Sequence, residues 1–183
     1  MITIAIDPGK SGGIAWMADG RARCIPMPEL LSGLVSALRD IRLQGKSLGV
    51  EVRAWIENVN AMPGEGVLSA RTFGLHMGHL EAVCFCLGIG SRKVAPQTWQ
   101  RALSVPKLAA VGPRPEPTAL ESNEEFAERK SAWAAARNRS QREKKHAIRE
   151  LAQARFPGLP VTLRTADALM ILDWALKQQP VGV

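Results

Sequence analysis

The stretch MITIAIDPGKSGGIAW, residues 1–16, decides how the chain is read. Its opening run is rich in Ile and bounded by Pro8-Gly9, the pattern of a strand buried in the middle of a sheet. That run ends on a carboxylate, Asp7, and Gly9, Gly12 and Gly13 turn the backbone straight back into a second apolar run, GIAWMA. Taken alone, Asp7 is read equally well as turn chemistry, because an Asp side chain bonds its own backbone in Asp-Pro-Gly. The other acids decide between the two readings.

Working outward, RARCIPM after Asp19-Gly20 is a third strand, so the chain opens with a three-stranded meander. Residues 29–45 place Leu30, Leu31, Leu34, Val35, Leu38 and Ile41 at helical spacing, with Gly45 as the stop. EVRAWIENV is a fourth strand and again ends in an acid, Glu57. The loop NAMPGEG then enters a long helix beginning VLSARTFG, whose Ser69, Ala70, Gly74, Gly78 and Ala82 would let it lie close against a sheet. SRKVAPQTW reads as a fifth strand running into a short helix over 97–103. Four prolines between 106 and 117 exclude regular structure there. A charged, helix-forming stretch follows, with Ser122 or Asn123 as N-cap and Glu124 and Glu125 in the first turn. The last element, RTADALMILDWALKQQ, is apolar round most of its circumference and carries Asp167 in its first turn.

The order of elements predicts one α/β domain over residues 1–183, with a Pro-rich and charged helical insertion at about 104–139. A net charge of +7, from 24 Lys and Arg against 17 Asp and Glu, makes polyanions the expected partners. Cys24, Cys84 and Cys86 form no even disulfide framework, and no apolar run is long enough to span a bilayer. A reduced, cytoplasmic protein with no membrane partner is expected.

Asp7, Glu57 and Asp167 each sit in apolar sequence. Burying an ionised carboxylate without compensation costs several kcal/mol, so such groups pair with a cation or bind metal. If the first and fourth strands are neighbours, their C-terminal ends coincide, and a helix packed on that sheet brings Asp167 alongside. Hard oxygen ligands of this kind suit Mg²⁺, with Mn²⁺ as a substitute. The chemistry implied is two-metal phosphodiester hydrolysis. Singly, each acid has a structural alternative: a turn for Asp7, a solvated strand end for Glu57, a favourable helix N-terminus for Asp167.

The ordered set IDPGKSGGIAW, WIENVNAMPGEGVLSARTFG, VAPQTWQRAL, KKHAIRELAQARFP and TADALMI resembles the RuvC-like Holliday junction resolvases of the RNase H-like superfamily, particularly the smaller phage and prophage members. The resemblance covers residues 1–103 and 140–177 and leaves the insertion unmatched. It implies a five-stranded mixed sheet in the order 3-2-1-4-5 flanked by helices. It also implies Asp7, Glu57 and Asp167 as catalytic metal ligands, a homodimer, and cleavage of four-way and other branched DNA in a bacterium or a phage-infected host. Family members carry a fourth acid or a histidine where this chain has Arg164. Asp173 is a poor replacement, because six residues along a helix turn it about 240° from Asp167.

In the same family, the loop after the fourth strand approaches the junction centre, which makes Met62 a candidate wedge between unstacked bases. Arg71 is a candidate phosphate contact, with an ion pair to Glu65 or Glu81 as the alternative; such surface pairs contribute only about 0–1 kcal/mol. RNRSQREKK is the densest positive stretch, and Arg142, Lys144 and Lys145 are its candidate DNA contacts. His76 and His79 share one helix face, but Cys84 and Cys86 lie too far along the helix to complete a zinc site with them. That helix is the expected dimer interface, its small residues and thiols packed against a symmetry mate. Two further readings stay open: a non-catalytic branched-DNA-binding protein, and an RNase H-like nuclease acting on RNA or replication intermediates.

Overall fold

The computed structural model describes residues 1–59, 66–107 and 109–178. Three strands, β1 (Ile2–Asp7), β2 (Gly13–Ala18) and β3 (Arg21–Pro26), form the antiparallel meander. Helix α1 (Leu31–Ser47) then crosses over to β4 (Val52–Glu57), which pairs parallel to β1. Helix α2 (Val67–Cys86) crosses to β5 (Gly90–Val94), parallel to β4. The result is a mixed sheet in the order β3-β2-β1-β4-β5. Three helices follow: α3 (Pro96–Ala102), α4 (Asn123–Arg155) and α5 (Ala166–Lys177).

Strand alternation divides the sheet into two faces. Ile2, Ile4 and Ile6 of β1 point the same way as Val52, Ala54 and Ile56 of β4, onto Leu34, Leu38 and Ile41 of α1 and Leu80 and Cys84 of α2. On the other face Ala5 and Ala15 are small enough for α5 to settle on β1 and β2, and Trp99 of α3 joins that core. Asp7 and Glu57 share the parity of Ala5 and Trp55 and therefore belong to the α5 face.

Gly45 does not stop α1. It is buried inside the helix, where a Cβ would come within 2.3 Å of the Val52 side chain, and the helix runs on to Ser47. The left-handed residue beyond the end is Gly49, at φ +64°. The glycine pattern thus marked a close helix–strand approach and was read as a cap.

Helix α4 is a single element of 33 residues, about 50 Å long, and position 139 falls in its interior. It begins with a capping box in which Ser122 and Glu125 satisfy each other's backbone N–H groups. Its C-terminal half buries Ile148 and Ala152 beside α5. The N-terminal half instead carries the Pro-rich strap, which runs antiparallel along it. Ser140 donates to the Ala109 carbonyl at 3.3 Å, Trp133 to Gly112 at 2.7 Å and Arg129 to Glu116 at 2.8 Å.

The turn between β1 and β2 tolerates no side chain at Gly12, where a Cβ would fall 2.1 Å from the Asp7 carbonyl oxygen. Gly12→Ala is expected to destabilise the fold by about 1–3 kcal/mol through forced backbone displacement. Chemical denaturation measures this, and an unchanged midpoint would show that the turn yields freely.

Candidate active site

Parallel pairing of β1 with β4 aligns Ile6 with Ile56, so the next residue of each strand, Asp7 and Glu57, ends up side by side. Adjacent strands lie about 4.8 Å apart, and both side chains rise on the α5 face. Asp167, in the first turn of α5, closes the group from above. One glycine makes that approach possible. Gly13 pairs with Asp7 across the β1–β2 ladder, and a Cβ on it would lie 2.7 Å from the Arg164 carbonyl oxygen and 3.2 Å from the Thr165 Cα.

The Arg164 side chain is a clamp. Its guanidinium donates to the Lys10 carbonyl at 2.9 Å and to the Met27 carbonyl at 3.0 Å, tying the lead-in of α5 to the turn after β1 and to the end of β3. Asp173 belongs elsewhere, in ion pairs with Arg155 at 2.7 Å and Lys177 at 2.9 Å.

The three carboxyl groups feel one another. Burial pushes Asp7 well above the usual carboxylate range, and the charges of Asp167 and Glu57 push it further; its protonated carboxyl hydrogen-bonds Glu57. Glu57, 7% exposed, is pushed up to about 7 by burial, against the opposing pull of a hydrogen bond from Trp99. Asp167 is raised by burial and drawn back by Lys145 and Lys144. Crowded together away from water, the acids resist ionisation, because bare charges held so close would repel. Among the described residues, no group of three or more His, Cys, Asp or Glu side chains is placed to hold one metal ion as it stands.

Trp99 was absent from the sequence-derived candidates, yet it fixes the site. Its buried indole N–H donates to Glu57 Oε1 at 2.8 Å. The available signal was general: a buried Trp needs an acceptor for its N–H, and Glu57 was the nearby acid predicted at a strand end. Its neighbour Gln100 accepts a 2.8 Å hydrogen bond from Lys144 Nζ, which holds that ammonium beside the acids.

Of the DNA-contact candidates, Lys144 and Lys145 reach the acid cluster, lowering the proton affinity of Glu57 and of Asp7 respectively. Arg142 is exposed about 160° round α4 from Lys144. Arg71 is exposed on α2 and is not paired with Glu81, which forms its ion pair with Lys93. Met62 and Glu65 lie outside the described residues. A cavity of about 680 Å³ opens between Gly9, Lys10 and Ser11 on one side and Leu68, Phe73 and His76 of α2 on the other, and none of the three acids lines it.

Each raised acid binds its proton more readily in the folded chain than in the unfolded one. Its contribution to stability is therefore complete below the unfolded carboxylate range near pH 4, and is lost as pH rises through about 7 for Glu57. In metal-free buffer, Asp7→Asn is expected to raise the melting temperature at about pH 8 by at least about 2 °C, and by less at about pH 5. Equal shifts at both pH values would mean that the carboxylates are hydrated.

No family model matches the chain, and no curated protein matches it. Among solved structures, it is similar to Thermus thermophilus RuvC in complex with a Holliday junction substrate, at 15% identity over 94% of this chain and 90% of that one, with a TM-score of 0.50. A second structure of T. thermophilus RuvC aligns at 15% identity over 94% and 91% of the two chains, with a TM-score of 0.46. Sheet order, crossover pattern and flanking helices together give this chain the fold of RuvC.

Proposed function

We propose that the chain is a divalent-metal-dependent endonuclease that cuts branched DNA. The observation that supports this best is the side-by-side placement of Asp7 and Glu57 under Asp167, on a fold shared with a protein that binds a Holliday junction. The donor set is oxygen-only and buried, and it holds protons it would release in water. A divalent cation answers that same electrostatic demand, so the chemistry of the site fits Mg²⁺ or Mn²⁺ held by Asp7, Glu57 and Asp167. Such an ion, when bound, would activate water and steady the departing oxygen of a phosphodiester.

The protein's own groups do the positioning. Trp99 orients Glu57 through one oxygen and leaves the other toward Asp7 and Asp167. Lys144, tethered by Gln100, and Lys145 set two ammonium groups where the negative charge of a phosphate would arrive. The cavity beside Gly9 and Lys10 gives a flanking nucleotide room at the turn that follows Asp7.

A dimer belongs to the same reading, with a revised interface. Gly74 and Gly78 do not face the sheet, since nothing lies within 4 Å of a Cβ built on either. They share the open face of α2 with exposed Leu75 and Phe85, whereas Cys84 is turned into the core, its thiol pushed up to about 11 by burial, and cannot reach a partner. A two-fold axis along this face would present two acid clusters to a four-way junction.

A non-catalytic branched-DNA-binding protein is the second reading. It is favoured by the acids' not forming a ready metal cage among the described residues and by Arg164's clamping role.

Incubating a synthetic four-way junction with the protein and Mg²⁺ or Mn²⁺ separates the two. Cleavage is expected for the wild type, and Asp7→Asn should abolish it, by at least about 100-fold, while leaving junction binding intact. Binding without cleavage by the wild type supports the second reading. For the dimer, light scattering should give twice the 19.9 kDa chain mass, and Phe85→Asp should give the monomer. A wild-type monomer would refute the α2 interface.

A further inference from the structure

The insertion has no role in the reading so far, yet its charges are not scattered. Between α3, the start of the strap and α4 lies a cavity of about 430 Å³ whose lining includes Arg101, Lys107 and Lys144 together with Gln97, Gln100 and Ser104, and no acid. Every polar side chain there can donate to an anion. Ser104, at φ +55°, occupies the left-handed region, so the backbone is bent sharply where the strap leaves α3. That bend brings Lys107 round to face Lys144.

The positive lining continues along α4. Lys144, Arg137 and Lys130 recur every seven residues, which places them within about 40° of one another and about 10.5 Å apart along the axis. The acids of the same helix, Glu124, Glu125, Glu128, Glu143 and Glu150, lie about 140–240° round from Arg137, on the far side. Aromatic rings support two of the cations: Arg137 lies 5.4 Å from the Trp133 ring centroid and Lys130 lies 6.0 Å from that of Phe126. The strap keeps Trp133 in place through its bond to Gly112. One end of the row is Lys144, which acts on the acid cluster; the other is more than 20 Å away by helical rise.

We propose that the strap and the N-terminal half of α4 form a phosphate track, in which Arg101, Lys107, Arg137 and Lys130 hold the backbone of a duplex arm leading away from the acid cluster. The inference rests on the DNA reading above and extends it to Lys107, Lys130 and Arg137, which the family resemblance leaves unmatched. Single strands fit less well. The cations lie on one line at near-constant spacing, and the two half-buried rings along it, Trp133 and Phe126, already carry Arg137 and Lys130, whereas single strands are held by free rings on which successive bases stack.

The test is fluorescence anisotropy of a labelled four-way junction across a salt series, with wild type, Lys107→Ala/Arg137→Ala and Arg137→Lys. Each phosphate contact removed lowers the slope of log affinity against log salt by about 1, so the double variant should lose about 2 from the slope and Arg137→Lys should keep it. Thermal melts confirm that the variants fold. A second junction with arms trimmed to a few base pairs should bind the wild type and the double variant alike. If wild type binds with a steep salt slope and the double variant matches it on long arms, the track is overturned while the nuclease reading stands. If wild type binds linear duplex as tightly as the junction but the slope still falls in the variant, the track stands and the branched-DNA reading fails. No DNA binding by wild type overturns both.

Discussion

The parallel pairing of β1 with β4 is the constraint on which the molecule depends. One ladder sets Asp7 beside Glu57, assigns both to the face that α5 covers, and leaves them at the C-terminal ends of their strands. A one-residue slip of that register would send Glu57 to the α1–α2 face and dissolve the cluster. The packing on both faces prevents such a slip, because Ile2, Ile4 and Ile6 cannot exchange faces with Thr3 and Ala5, whose side of the strand is closed by α5 and filled by small side chains.

Around this ladder the structure accepts local disadvantage. Three carboxyl groups are held with raised proton affinity, a condition that favours the unfolded chain at neutral pH. Other groups oppose it. Gly12 and Gly13 admit backbone where side chains would collide, Arg164 ties α5 to two carbonyls, and Trp99 satisfies one Glu57 oxygen. Strain and compensation therefore lie within a few residues of each other, as is usual where a site is kept ready for a ligand of opposite charge.

The same economy extends to the surface. Lys130, Arg137 and Lys144 line one side of α4, while that helix's own acids face away and Arg129 is neutralised by Glu121. A sheet edge that is negative at its centre and positive around it attracts a polyanion only once the centre is filled by a cation or a proton. Proton uptake by the crowded acids and binding of the proposed metal are two solutions of one electrostatic problem.

Sequence alone determined the strands and helices and their order. Ile-rich runs bounded by Pro and Gly, helical spacing in 29–45, and Ser122 or Asn123 followed by Glu124 and Glu125 are local signals that depend only on near neighbours along the chain. It also nominated Asp7, Glu57 and Asp167, because an acid in an apolar run is anomalous wherever it occurs. It misread Gly45 as a helix end and the small residues of α2 as facing the sheet, since a missing Cβ announces a close approach without saying to what. Tertiary structure alone decided that Trp99 bonds Glu57, that Arg164 clamps carbonyls, and that Lys107 and Lys144 line one cavity. Each of these joins residues more than thirty positions apart, and only packing selects such partners, because hydrogen bonds and charges act over a few ångströms of space and leave no period in the sequence.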